Sequence, residues 1–215
     1  MIKWRKISNY KLKKILQCFC GDLTALQTAR LLSLNRNTVN RYFKIFRAKI
    51  VLYQDSINKG FKGEIELDES YFGGRNKGRR GRGTAKIPVF GILKRNGRVY
   101  TQIIRNATKA EIKPIIAKLI HKESTIYTDK WKAYDGLVFD GYKHYRINHS
   151  GLEYSNCKGT HINGIENFWS YAKRRLRKFN GISAKDFYLH LKETEFRYNE
   201  KDKMFEKMML ILKKF

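Results

Sequence analysis

Asp68 in IELDESYFGG, Asp129 in STIYTDKW and Glu166 in HINGIENFWSYAKRR place three carboxylates in three separate contexts of a strongly basic chain. The chain carries 46 Lys plus Arg against 19 Asp plus Glu, a formal net charge of +27. A charge of that size draws polyanions, and carboxylates beside a polyanion are repelled unless a cation stands between them. Carboxylates, a divalent metal and a phosphate backbone together make phosphoryl-transfer chemistry. Mg²⁺ is the expected ion, with Mn²⁺ as a substitute, because it takes a few carboxylates and completes its shell with water and substrate phosphates. Three converging acids suffice for two such ions about 3.5–4 Å apart, one at the attacking hydroxyl and one at the leaving oxygen.

The elements around these residues set whether they meet. GEIELDES alternates, with Ile65 and Leu67 on one face and Glu66 and Asp68 on the other, as in a strand with one apolar side. Asp129 ends a short strand over 124–128. If the two strands are neighbours, both aspartates come together across 129 − 68 = 61 residues. Glu166 enters from the first turn of a helix over 163–178, whose apolar stripe is Ile165, Phe168, Trp169, Ala172 and Leu176. Glu166, Ser170, Lys173 and Arg177 run along another face. The helix that offers the carboxylate therefore also offers Lys173, Arg174 and Arg177 to a phosphate backbone. Each acid alone admits a structural explanation. Asp68 can face solvent, Asp129 can cap a following helix, and Glu166 can close a capping box with Asn163. Glu66 and Glu69 compete with Asp68, and Asp135 with Asp129. His149 and His161 lie nearby as auxiliary groups for a phosphate or a nucleic-acid end, or as local hydrogen-bonding groups.

Before the first strand the chain reads as helical from about 7 to 50. LTALQTARLLSLNRNTVNRYFKIF is two helices with a tight turn at Ser33 and Leu34. Leu23, Leu26, Ala29 and Leu31 supply the apolar side of the first, Asn35 caps the second, and Val39, Tyr42 and Phe43 recur at helical spacing. This is helix-turn-helix patterning, with Arg36, Asn37, Asn40, Arg41 and Lys44 turned outward toward phosphates or base edges. A connector over 51–63 leads to the first strand. The loop RNKGRRGRGTAK adds Arg79, Arg80 and Arg82 as further DNA contacts. Strands follow at 87–93 and 98–105, joined by Asn96-Gly97. Then come a helix over 108–121 capped by Thr108 with Glu111, the strand before Asp129, a strand over 142–148, and helices over 163–178 and 184–200. That order predicts an α/β fold: a ribonuclease-H-like mixed five-stranded sheet flanked by helices, after an N-terminal helical domain. The expected divisions are 1–55, 60–200 and a C-terminal tail or helix over 201–215.

Composition narrows the class further. The chain of 215 residues holds 13 Phe, 13 Tyr and 3 Trp, enough aromatic area for a real core. Three cysteines, Cys18, Cys20 and Cys157, form no even framework, and Cys18-Phe19-Cys20 is too closely spaced for a zinc pair. The basic N-terminus has no apolar run of a signal peptide, and no stretch is long and apolar enough for a membrane span. These features point to a cytoplasmic, nucleoid-associated protein with no membrane partner.

DES-YFGG, TDKWKAY, INHS, GTHINGIENFWSYAKR and EFRYN together resemble the insertion-sequence transposases of the ISXO-like group within the DDE superfamily. The resemblance covers about residues 60 to 200, and the run from His161 to Arg174 is its most specific part. It implies a ribonuclease-H-like catalytic domain performing metal-dependent strand cleavage and strand transfer at terminal inverted repeats. Its partners would be double-stranded element ends and target DNA, and it would work as a homo-oligomer assembled on DNA. The family's acidic triad would fall on Asp68, Asp129 and Glu166, with Lys173 as the basic residue on the same helix. Asn163 and Asn167 compete for the third position, since some members use Asn there. The cysteines of the N-terminal zinc ribbon that many relatives carry are missing, which shifts end recognition to the helix-turn-helix and the basic loop. Two rivals remain open: a basic DNA-binding regulator without catalysis, and a structure-selective nuclease on the same fold.

Overall fold

The computed structural model describes residues 7–57, 60–74, 86–129, 134, 136–147 and 161–214. Two compact units emerge, one spanning Lys59–Gly181 and the other built from both chain ends, Met1–Asn58 with Ile182–Phe215. By this division residues 182–200 pack with the first helices of the chain, and 201–215 holds a helix, one of the two forms expected there.

The sheet unit contains β1 (Glu64–Phe72), β2 (Ile87–Lys94), β3 (Val99–Ile103), α4 (Lys109–Leu119), β4 (Thr125–Asp129), β5 (Lys143–Ile147) and α5 (Asn163–Arg177); α1 to α3 precede it in the chain. Its five strands lie in the order β3-β2-β1-β4-β5. β1, β2 and β3 pair antiparallel, while β4 and β5 join in parallel. This is the ribonuclease-H-like arrangement that the element order predicts. The two-residue period of β1 sends Ile65 and Leu67 into one core, where they meet Phe90, Ile92, Ile126 and the α4 residues Ile112 and Ile116. The opposite face carries Glu66 and Asp68 and receives α5, whose stripe Ile165, Phe168, Trp169, Ala172 and Leu176 is buried as its spacing predicts. Asn96 takes the left-handed conformation (φ 54°) that turns the β2–β3 hairpin. The Thr108 capping box does not close. Glu111 instead reaches back to accept from the amides of Arg105 (2.8 Å) and Asn106 (3.3 Å), further out than the cap position.

The helical unit comprises α1 (Asn9–Cys20), α2 (Ala25–Leu31), α3 (Arg36–Ile57), α6 (Ala184–Asn199) and α7 (Met204–Lys214). Its core joins Phe19, Ala29, Val39, Phe43 and Phe46 to Phe196, Met204, Met208 and Ile211. Thr24 and Gln27 close a capping box on α2, Ser33 turns with φ 49°, and Asn35 accepts from the Asn37 amide at 2.8 Å. Leu26 and Leu31, expected on the buried side, are 41% and 66% exposed. They stand about 140° apart on a helix, one on each flank of the buried Thr28–Ala29 side, so one face cannot hold both. α3 continues to Ile57 because Ile50 and Gln54 keep its buried side going, so the expected connector is shorter.

Buried charge ties α6 to the N-terminal helices. Glu193 takes Arg47 Nε at 2.7 Å and Arg197 Nε at 2.8 Å, and Gln54 donates to Glu195 at 2.6 Å. Arg197 also donates to the carbonyls of Phe19 and Cys20, where α1 ends. Cys18 and Cys20 lie in α1, and burial pushes the Cys20 thiol up to about 12, away from reactivity. Among the described residues, no helix is long and apolar enough to cross a membrane.

Candidate active site

β1 and β4 run parallel with Glu64 beside Thr125, Ile65 beside Ile126 and Glu66 beside Tyr127. That offset is the same 61 residues that separates Asp68 from Asp129, so the two aspartates stand at equivalent positions, two residues beyond the last pair on each strand. On its other flank Asp68 stands opposite Gly91 of β2. Trp169 and Ile165 of α5 pack onto that glycine so closely that an added Cβ would lie 2.4 Å from the indole ring. A glycine inside an apolar strand marks such close approach, and it brings the first turns of α5 down to the level of Asp68.

The three acids act on one another's charge. Burial pushes Asp68 from an ordinary 3.8 up to about 7, and the negative charges of Asp129 and Glu166 add to the rise. The Glu69 backbone amide opposes it, as does the indole N–H of Trp169, which lies near Asp68 while outside strict hydrogen-bond geometry. The Lys173 ammonium is held below its usual range by partial burial; Asp68 acts against that shift and Lys86 adds to it. Asp68, Asp129, Glu166 and Lys173 therefore share one electric field.

The neighbouring acids separate from this group. Glu66 is 1% exposed and accepts from Arg95 Nε at 3.0 Å and from the Ile165 amide at 2.9 Å. Glu69 points to the opposite face, where the buried Tyr134 hydroxyl donates to it. No side chain caps α5, whose N-cap is Ile162, so the capping box of Asn163 with Glu166 is absent. Glu166, Asn163 and Asn167 are exposed on the first turns. His161 sits before α5 with Nδ1 3.6 Å from Glu66.

Lys173, Arg174 and Arg177 are exposed, whereas Arg175 is buried with its guanidinium over Phe179. In the helical unit, Arg36, Asn37, Asn40, Arg41 and Lys44 are all exposed, as expected. Arg79, Arg80, Arg82, Asp135, His149 and Cys157 lie outside the described residues.

Three carboxylates, one of them raised chiefly by burial and further by the other two, are a donor set of the type and charge that a hard divalent cation takes. Among the described residues, no three Asp, Glu, His or Cys side chains are gathered tightly enough to hold a metal as they stand. The donor chemistry fits such an ion, and the side chains would have to close around it. Three contributors escape sequence reasoning: Gly91, Gly164 and the Glu66–Arg95 pair. Gly91 inside the strand IPVFGIL was the available signal.

A family model, the ISXO2-like transposase domain, matches residues 60–199. A Haemophilus influenzae protein named as an uncharacterized transposase-like protein is 44% identical over 105 residues, 49% of this chain and 84% of that one. A Halobacterium salinarum protein, named as an uncharacterized protein in transposable element ISH50, is 31% identical over 147 residues, 60% of this chain and 50% of that one. The match to the second thus spans half its length. The solved Mos1 strand transfer complex superposes with a TM-score of 0.33 at 12% identity, covering 99% of this chain and 80% of that chain, too loosely to add to the topology.

Proposed function

The chain belongs to the ISXO2-like transposase domain family, and from that premise we propose that it is a DNA transposase performing metal-dependent strand cleavage and strand transfer at the ends of an insertion sequence. The observation that supports the reading is the parallel pairing of β1 and β4 at the 61-residue offset that separates Asp68 from Asp129, with α5, which carries Glu166, packed onto Gly91 opposite Asp68. Asp68, Asp129 and Glu166 would hold Mg²⁺, or Mn²⁺ in its place. Bound there, the metal supplies Lewis acidity to a phosphodiester and lowers the pKa of a hydroxyl.

The chain's own groups do the rest. Lys173 stands in the field of Asp68 and offers a cation to the phosphate being exchanged, while Arg174 and Arg177 hold phosphates further along the backbone. Trp169 and Ile165 pack onto Gly91 beside Asp68 and would keep water from that side of the acids. Arg36, Asn37, Asn40, Arg41 and Lys44 bind double-stranded DNA at the terminal inverted repeats. Two element ends must be held at once, so the working form is a homo-oligomer assembled on DNA.

The test is nicking of a supercoiled plasmid that carries the DNA flanking the gene, with and without Mg²⁺. Asp68→Asn and Asp129→Asn should abolish cutting and keep or raise DNA affinity, because each removes a negative charge beside the phosphates. Comparison of Glu166→Gln with Asn163→Ala and Asn167→Ala assigns the third position. Full cutting by both aspartate variants rejects the site. Tight DNA binding with no cutting under any metal leaves a regulator, and cutting without joining of a pre-cut 3′ end leaves a nuclease.

A further inference from the structure

We propose that Glu66, with Arg95, is a positioning residue that sets the Glu166 carboxylate against Asp68 and Asp129; this rests on the transposase reading above. The first amides of a helix have no partner within it and need acceptors from elsewhere. α5 has no side-chain cap of its own. Glu66 Oε2 fills the role from β1, accepting from the Ile165 amide at 2.9 Å. Ile165 directly precedes Glu166, so the clamp grips the turn that presents the third acid. A carboxylate there also complements the positive end of the helix.

The clamp reaches all three elements of the site. Glu66 lies two residues before Asp68 on β1. Its other oxygen takes Arg95 Nε at 3.0 Å, and Arg95 Nη2 donates to the His161 carbonyl, at the entry to α5, at 2.5 Å. The same guanidinium lies 3.8 Å over the ring of Tyr127 on β4, two residues before Asp129. Gly164 makes the approach feasible: a Cβ there would fall 2.8 Å from Glu66 Oε2 and 3.1 Å from Leu93. A cap serving stability alone would need none of this reach into β4.

The experiment compares Glu66→Ala, Glu66→Gln and Gly164→Ala in the full chain, using single-turnover plasmid nicking across an Mg²⁺ titration, with DNA binding and circular dichroism on the same samples. Glu66→Ala should lower the rate per folded molecule about 10- to 100-fold, the range for groups that orient metal ligands. It should raise the Mg²⁺ needed for half-maximal rate and leave the KM for DNA within about twofold. Glu66→Gln keeps an oxygen for the Ile165 amide and should recover part of the rate. Gly164→Ala should reproduce the loss with the carboxylate still present, and it carries the test if Glu66→Ala does not fold. Lower melting temperatures with unchanged rate and unchanged Mg²⁺ dependence per folded molecule would overturn the positioning role. Full cutting by Asp68→Asn would overturn the underlying site, and this role with it; an inactive Asp68→Asn beside an unimpaired Glu66→Ala removes the positioning role alone.

Discussion

Gly91→Ala is the smallest change that should pull the site apart. The new Cβ would sit 2.4 Å from Trp169 Cζ2, 2.9 Å from Cη2 and 3.0 Å from Ile165 Cδ1. Carbon atoms rest at about 3.5–4.0 Å, so the indole or the whole of α5 must retreat by about 1.1–1.6 Å. Neither can yield freely, because Trp169 is packed edge-on against Phe72 and α5 is held at its start by Glu66. Overpacking of this kind costs about 1–3 kcal/mol. A displacement of about 1 Å in a reacting group lowers rates by about a hundredfold. Urea unfolding should register the first effect and plasmid nicking in Mg²⁺ the second, with DNA affinity nearly unchanged. Shrinking the ring in the double variant Gly91→Ala/Trp169→Leu should restore part of both, since neighbours in contact couple. A Gly91→Ala protein with wild-type stability and wild-type nicking would refute the close approach of α5 as the source of the site's geometry.

Three further outcomes are expected. Asp68 binds its proton more tightly folded, near 7, than at its ordinary 3.8. The resulting stabilisation of the metal-free protein is fully present below about pH 4 and is lost as pH rises through about 7. The melting temperature should therefore fall between pH 5 and 7.5 more steeply for the wild type than for Asp68→Asn, read by calorimetry in EDTA. Glu193→Leu removes the buried partner of Arg47, while Arg197 keeps Asp22 and the Phe19 and Cys20 carbonyls; the loss at Arg47 should destabilise the helical unit by about 3–5 kcal/mol in urea unfolding. Arg41→Ala removes one exposed cation from α3, and the slope of log K against log salt for DNA binding should shrink by about 0.9 if it meets one phosphate.

The strands were legible because IELDES alternates and Asn96-Gly97 is hairpin chemistry, both local properties. The stripe of α5 was legible for the same reason, at a different period. Register was not: that β1 and β4 pair with an offset of 61 residues is a tertiary fact, and in the sequence it appears only as the spacing of two aspartates. Alternation also left Glu66 and Asp68 equivalent. What separates them is that α5 begins over Glu66, which no local pattern encodes. Residues 192–197 mislead in the other direction. Lys192, Glu193, Glu195 and Arg197 have the composition of a solvated face, yet all four are buried because partners from α3 and from within α6 neutralise them. Leu26 and Leu31 show the converse, apolar residues left outside by a helix of only seven residues.

The helical unit takes its core from the two extremities of the chain, with Phe19, Phe43 and Phe46 packed beside Phe196, Met208 and Ile211. During synthesis the early helices must therefore wait for a stretch made after the whole sheet, roughly ten to thirty seconds at ribosomal speed. The half carrying the outward-facing Arg36 and Arg41 thus matures last although it is translated first. A copy of the gene interrupted by a stop codon after the sheet would release early helices deprived of their packing partners. Such a fragment would not hold Arg36 and Arg41 in the packed geometry that the late helices give them.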